Sequence, residues 1–280
     1  MAILLGLLSA ICWGTTDFIA GSVSRKHGVS RTLFYSQLFG LFFITLSLLY
    51  FSEFNFNFTL SSLFICILAS ICNLLGMSFL LKALSIGKAS IVAPIASLYG
   101  AVTTILSLLA GNPLHLITLT GLFICVIGAC LTSVPKNADG KKESFISIFY
   151  ALLSSLMFGL GFWLQGEFAV NTLGVINALW IYYFTAVILL FFFLIATKNF
   201  KAVPANALIT ILAISIFSLF GFFSLAYGSR LGHVAIVTVL SSLASGVTAF
   251  WGFLILHERL SHIQILGVIL IIGGVILLKV

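Results

Sequence analysis

Charge is what this sequence has least of. Asp, Glu, Lys and Arg make up 7% of its 280 residues and hydrophobic residues 61%, whereas roughly a quarter of a soluble domain is charged. So little charge cannot cover a water-facing surface, which excludes a soluble globular protein and leaves one immersed in lipid. Strict polar–apolar alternation is missing as well. A transmembrane β-barrel shows it in segments of about ten residues, but here the apolar runs are continuous and near the ~20 residues of a spanning helix. In hydrocarbon the backbone must satisfy its own hydrogen bonds, so the chain reads as an all-α polytopic membrane protein. Proline occurs only four times and low-complexity sequence not at all, so no linker marks off a soluble domain.

Acidic residues are rarer still, six against thirteen Lys and Arg, for a net charge of +7. The bases stand singly in short loops and form no face that could track a phosphate backbone. No nucleic-acid partner is expected, and their use is to set membrane topology. The cysteines Cys12, Cys66, Cys72, Cys125 and Cys130 form no CxxC pair and read as small apolar packing residues. There is no nucleophile elbow, phosphate loop, glycine-rich nucleotide turn or haem motif. His257-Glu258-Arg259-Leu260-Ser261-His262 only resembles a zinc motif, because its histidines are five apart. On a helix they point about 140° apart, and HExxH needs a spacing of four. No metal, no cofactor and no catalytic set of an enzyme is expected. The N-terminus lacks a basic leader and a small-residue cleavage site, and reads as a retained first span.

What is present is a repeat. Ten spans can be drawn, at roughly 2–22, 32–52, 60–82, 89–110, 115–134, 144–166, 174–196, 205–228, 233–256 and 262–279. LLSAICWGTTDFIAG, Leu7 to Gly21, is echoed without gaps by LLSSLMFGLGFWLQG, Leu152 to Gly166, at a shift of 145 residues. Gly14 falls on Gly159, Gly21 on Gly166 and Trp13 on Phe158. Ala89 to Leu131 lies over Ala235 to Leu277 at a shift of 146, with Gly100 on Gly246 and Gly128 on Gly274. The expected organisation is a five-helix repeat over 1–134, a connecting loop over 135–143 and a second five-helix repeat over 144–280. With an odd number of spans per repeat the second copy enters from the opposite side, giving the inverted repeats of many secondary transporters. Eleven of the thirteen bases lie in loops after odd-numbered spans, Arg25, Lys26 and Lys198 among them, and only Arg230 and Lys279 on the other side. The positive-inside rule therefore puts both termini outside. Asn57-Phe58-Thr59 would then be an outward-facing glycosylation triplet.

The two copies differ at one telling place, where Asp17 falls on Phe162. Trp13, Gly14, Asp17 and Gly21 share a helix face, and glycines seven apart let another backbone approach, so this face is expected to pack inward. A carboxylate within a span costs a few kcal/mol or more unless it is paired, protonated or hydrated. Asp17, with Thr16 beside it, is a candidate for substrate contact or proton coupling. The alternative is a structural ion pair with Lys82 or Lys88. Spans four and nine carry small polar residues in both halves, Ser97 and Tyr99 against Ser241, Ser242 and Ser245. That is the pattern of a cavity at a repeat interface, or else of small-residue helix packing. Pro94 frees a carbonyl in mid-span. Asn73, Trp163 and Gln165 are further interior candidates, with a neighbouring helix as the alternative partner. Gly14, Gly21, Gly159 and Gly166 read as structural, Glu167 as an exposed boundary residue, and Trp180, Tyr182 and Tyr183 as packing or cavity-lining.

Three stretches carry a resemblance: Trp13-Gly14 followed by Phe18; Ala83, Gly87 and Ala89 leading to Val92 and Pro94; and His257-Glu258-Arg259-Leu260-Ser261 followed by Gly267 and Gly274. Together with the two repeats they resemble, over essentially the whole chain, the EamA-type transporters of the drug/metabolite transporter superfamily. The resemblance implies ten spans around a central cavity lined largely by spans 1, 3, 4, 6, 8 and 9. It implies secondary active transport, usually export, of a small organic metabolite such as an amino acid or a toxic compound by alternating access, with proton coupling open. A sugar or metabolite importer on the same fold, or an intramembrane lipid-processing enzyme or flippase, are the alternatives. The enzyme would need several catalytic groups at one depth, and the sequence offers a single mid-membrane acid. The expected partners are the lipid bilayer, a small-molecule substrate and protons, for a monomer or homodimer in a bacterial inner membrane. Members of the family are generally drawn with cytoplasmic termini, opposite to the charge count.

Overall fold

The computed structural model describes residues 1–51, 59–87, 89–112, 114–132, 145–232, 234–256 and 262–277. Lys88, the Asn57 triplet up to position 58, the connecting loop 135–143 and the stretch 257–261 lie outside the described residues. The first half holds α1 (Ala2–His27), α2 (Val29–Phe51), α3 (Leu60–Ile86), α4 (Ala89–Ala96), α5 (Tyr99–Leu109) and α6 (Leu116–Thr132). The second holds α7 (Phe145–Leu164), α8 (Val170–Leu173), α9 (Val175–Ala196), α10 (Ala205–Leu231), α11 (Val234–Ser241), α12 (Ala244–Leu256) and α13 (His262–Leu277). No strand occurs among the described residues.

Polarity is arranged for lipid. Leu4, Phe64, Ile209 and Phe220 are exposed on the outside, while Ser9, Asn73, Thr103, Ser154 and Ser241 are buried inside. Hydroxyls that point into apolar surroundings close back on their own helix. Thr15 donates to Ile11 O at 2.8 Å, Thr16 to Cys12 O at 3.0 Å and Ser70 to Cys66 O at 2.7 Å, the usual solution for a buried Ser or Thr in a helix. Four of the five cysteines are buried, as packing residues should be.

Six segments among the described residues are long and apolar enough to cross a membrane: Ala2–His27, Val29–Tyr50, Leu60–Ile86, Phe145–Leu173, Val175–Ala196 and Ala205–Leu231. The chain is therefore a multi-pass membrane protein. The ten expected spans are more than these helices show. Two of the remaining four are broken in the middle, between α4 and α5 at Ser97–Leu98 and between α11 and α12 at Ser242–Leu243. The other two, α6 and α13, hold 17 and 16 residues among those described, against the ~20 that cross hydrocarbon, and each adjoins residues outside the described ones.

Both breaks have the same local cause. Leu98 N–H bonds to Ile95 O at 3.2 Å and Leu243 N–H to Leu240 O at 3.2 Å, tight i to i−3 bonds in place of the α-helical ladder. Around the second break Ser241 and Ser242 also donate to Thr238 O and Val239 O at 2.8 and 2.7 Å, and such back-bonding bends helices. Pro94 lies one turn before the first break, and no proline precedes the second. Proline alone is thus not what breaks them.

The halves meet through matched contacts. A Cβ on Gly14 would strike the carbonyl of Ala244 and the side chain of Val247, and a Cβ on Gly159 would strike Val102 and the carbonyl of Tyr99. Each residue of one contact is 145 positions from its counterpart in the other. The register inferred for spans four and nine, 146, is one residue out at this point: Ser245 rather than Gly246 answers to Gly100. Gly166 packs against Val234 and Ser229, as a structural glycine should. Gly21 does not, because nothing lies within 4 Å of the place of its Cβ. It sits about 10 Å along α1 from Gly14, past the broken span that Gly14 touches.

Candidate functional site

The two broken spans meet at one cavity, the first through its break at Ser97 and the second through Ala244 and Ser245, just past its break. It is walled by α1 (Trp13, Asp17), α3 (Met77, Leu80), α4 and its break (Ala93, Ala96, Ser97), α5 (Tyr99), α7 (Phe158, Phe162), α10 (Phe222) and α12 (Ala244, Ser245). These are the six spans that the resemblance names. The centres of water molecules can occupy about 40 Å³ of it, room for roughly two or three waters and less than a metabolite needs.

Aromatic rings line most of the wall, with Phe162 at their centre. It stacks on Trp13 at 5.1 Å and on Phe158 at 5.3 Å, and meets Tyr99 edge-on at 5.2 Å. Phe222 closes the group edge-on to Trp13 at 5.0 Å. Such offset and edge-to-face pairs are the favoured aromatic geometries. Tyr99 also ties the two breaks together. Ser241 gives its proton to Thr238 O, so in the 3.1 Å bond between Tyr99 Oη and Ser241 Oγ the tyrosine donates.

Asp17 is half-buried and faces the cavity. Among the described residues no hydrogen bond or ion pair reaches its carboxylate. Lys82 is exposed and does not pair with it, so that half of the ion-pair expectation is not met; Lys88 lies outside the described residues. Arg25, two turns further along α1, directs Nε and Nη2 at Leu84 O, 3.4 and 3.1 Å away. That bond pins the end of α1 to α3.

Of the residues singled out from sequence, Trp13, Asp17, Ser97, Tyr99 and Ser245 come together on this cavity. Ser241 and Ser242 stand behind the wall, engaged with Tyr99 and with their own helix. Thr16 is turned back on Cys12 O. Asn73 and Gln165 form a separate buried amide pair, Nδ2 to Oε1 at 2.8 Å. Trp163 lies edge-on to Phe168 at 5.3 Å, away from the cavity. Tyr182 and Tyr183 are fully buried core residues, and Trp180 donates to Thr45 at 3.1 Å while stacking on Phe184; all three pack rather than line the cavity.

Glu167 departs from expectation. It is half-buried in a single π-helical turn, Gln165–Ala169, and its Oε1 accepts from Asn112 Nδ2 at 2.9 Å. Asn171 Nδ2 bonds to the carbonyls of Gly166 and Glu167 at 3.2 and 2.9 Å and so caps the widened turn. Sequence reading also missed Met77 and Phe222, although the 145-residue register places one on the other.

The family model for the EamA-like transporter family matches residues 1–134 and again 145–280. The chain belongs to the EamA-like transporter family. Members of that family are transporters, and its two-repeat fold accommodates the matched contacts and paired breaks described above. Among curated proteins, none matches the chain. A solved crystal structure is similar over 99% of this chain and 95% of its own, with a TM-score of 0.79 at 15% identity. At that identity the likeness shows the fold alone.

Proposed function

We propose that this EamA-like protein is a secondary active transporter, most simply an exporter, of a small organic metabolite in a bacterial inner membrane. Two inverted five-helix halves, 1–134 and 144–280, expose the cavity to the two sides in turn, and Asp17 serves as the binding or coupling group. The observation that carries this reading is the meeting of two helices, each broken at the corresponding place, on a cavity with a carboxylate that has no partner among the described residues. Discontinuous spans at a repeat interface are where secondary transporters hold substrate and coupling ions.

The small free volume of the cavity supports alternating access, since a solute must be admitted by movement of the walls. Gln37 and Tyr182 support the inverted arrangement. They are 145 positions apart and bonded to each other, Nε2 to Oη at 3.1 Å, and mutual counterparts in contact are what a two-fold axis between halves requires. Proton exchange at Asp17 gives a route to coupling, because a carboxylate in a span is stable only when protonated, paired or hydrated.

The test is solute counterflow and efflux in proteoliposomes across a panel of amines, amino acids, sugars and neutral metabolites, with and without a pH gradient. Saturable flux of at least one solute is expected. A gradient effect lost in Asp17→Asn places coupling there, and unaltered flux and gradient dependence in that variant removes Asp17 from the mechanism. Turnover of lipid without solute flux would instead favour a flippase or lipid-processing enzyme.

A further inference from the structure

Among the described residues the cavity wall holds one carboxyl group, that of Asp17, and no Lys, Arg or His. A carboxylate in a span is stable only when protonated, paired or hydrated, and with no partner for Asp17 among the described residues a cationic solute would supply the pairing. The rest of the wall suits a cation of a particular kind. Trp13 lies one turn from Asp17 on the same helix face, and Trp13, Phe158 and Phe162 form a continuous stack with spacings of 5.1 and 5.3 Å. Aromatic faces attract organic cations, tryptophan most strongly, and offer an apolar body dispersion contact at the same time.

We infer that the cavity takes an organic cation with an apolar body, a protonated amine or a quaternary ammonium. Its charge sits on Asp17 and its body lies against the rings of Trp13 and Phe162. This rests on the transporter reading above and narrows it. A zwitterionic amino acid would bring a carboxylate for which the described wall has no cation, and an anion would be repelled by Asp17. The asymmetry between the repeats now has a chemical meaning. Counterparts 17 and 162 face one cavity, one anionic and one aromatic, so the solute is held with its charged end towards Asp17.

The full-length protein in detergent is titrated with four probes that share a phenyl ring and short chain: phenethylammonium, 2-phenylethanol, 3-phenylpropionate and phenylalanine. Thermal unfolding and tryptophan fluorescence report binding. The ammonium should bind saturably, and the other three at least about thirtyfold more weakly, the effect of leaving a buried charge unpaired. Benzyltrimethylammonium should bind like the primary amine. Asp17→Asn should erase the preference for cations, and Asp17→Glu should retain it, which separates loss of charge from loss of fold. Equal binding of alcohol or carboxylate, failure of both ammonium probes to bind, or unchanged cation affinity in Asp17→Asn overturns the inference. So does cation binding that appears only once Lys88→Gln removes a rival partner. Flux of phenylalanine or phenylethanol but not of the ammonium in proteoliposomes would overturn it and leave the transporter reading standing. Tight ammonium binding without flux of any solute would do the reverse.

Discussion

Thr248 Oγ1 donates a 3.0 Å hydrogen bond to the Gly14 carbonyl, and its counterpart 145 residues away, Thr103, donates at 3.0 Å to the carbonyl of Gly159. Each bond joins a broken span of one half to the first helix of the other, beside the cavity. The two are not equal in consequence. Thr103 has this acceptor alone, whereas the Thr248 hydroxyl is also 3.0 Å from Ala244 O on its own helix. Thr103→Val should therefore cost about 1 kcal/mol of stability, near the upper range for interhelical bonds in membranes, and Thr248→Val distinctly less. Unfolding of the two variants in mixed micelles measures the difference, and a larger loss for Thr248→Val would contradict the assignment of a shared proton.

Much of this arrangement can be read in the sequence, and the failures have physical reasons. The echo that sets Trp13 on Phe158 and Gly14 on Gly159 is legible because glycines and aromatics stand out against a leucine-rich background. The same register places Gly76 on Gly221 and Met77 on Phe222, and the structure uses it: Gly76 makes room for Phe158 and Gly221 for Trp13. Methionine and phenylalanine are missed because apolar cavity lining has no contrast in a sequence that is apolar nearly throughout. In spans four and nine the glycines Gly100 and Gly246 suggest a register one residue off, because packing is decided by which backbone Gly14 and Gly159 touch. The π-helical turn is illegible for a different reason. Its bonds come from Asn171 and Asn112, and the second of these lies on a distant turn.

Alanine at three of the four matched glycines of the echo, Gly14, Gly159 and Gly21, should give effects of opposite sign. In Gly14→Ala the new methyl meets a backbone carbonyl and Val247, and in Gly159→Ala it meets chiefly the Val102 side chain, with the Tyr99 carbonyl at 3.1 Å. Overpacking of this kind costs about 1–3 kcal/mol, more at Gly14 because a carbonyl of the broken span yields less easily than a side chain. Gly21→Ala enters open space and should stabilise by up to about 1 kcal/mol through helix propensity. Melting temperatures of the purified variants, ranked Gly21→Ala above wild type above Gly159→Ala above Gly14→Ala, are the expected result.

The Asn73–Gln165 pair gives a test of coupling between α3 and the π-helical turn. Both side chains are buried, at 0% and 3% exposure, and one bond joins Asn73 Nδ2 to Gln165 Oε1. Asn73 Oδ1 and Gln165 Nε2 have no partner among the described residues. Asn73→Leu strands the Gln165 amide, and Gln165→Leu strands that of Asn73, so each should cost about 1–3 kcal/mol. The double substitution strands neither. Its cost should fall below the sum of the singles by about 1 kcal/mol or more, and strict additivity would mean that the two amides do not depend on one another.

Membrane sidedness can be settled by thiol labelling, because four of the five native cysteines are buried and Cys130 is half-buried within α6. An impermeant maleimide should therefore find little in the wild-type protein. Lys26, Lys198 and Arg230 are exposed at helix ends and accept a cysteine without disturbing packing. The charge bias puts Lys26 and Lys198 on the cytoplasmic side and Arg230 on the other. In intact cells only Arg230→Cys should be labelled, and all three after lysis. Labelling of Lys26→Cys and Lys198→Cys in intact cells, with Arg230→Cys protected, would place both termini in the cytoplasm. It would also mean that the excess of bases after the odd-numbered spans does not govern insertion of this chain.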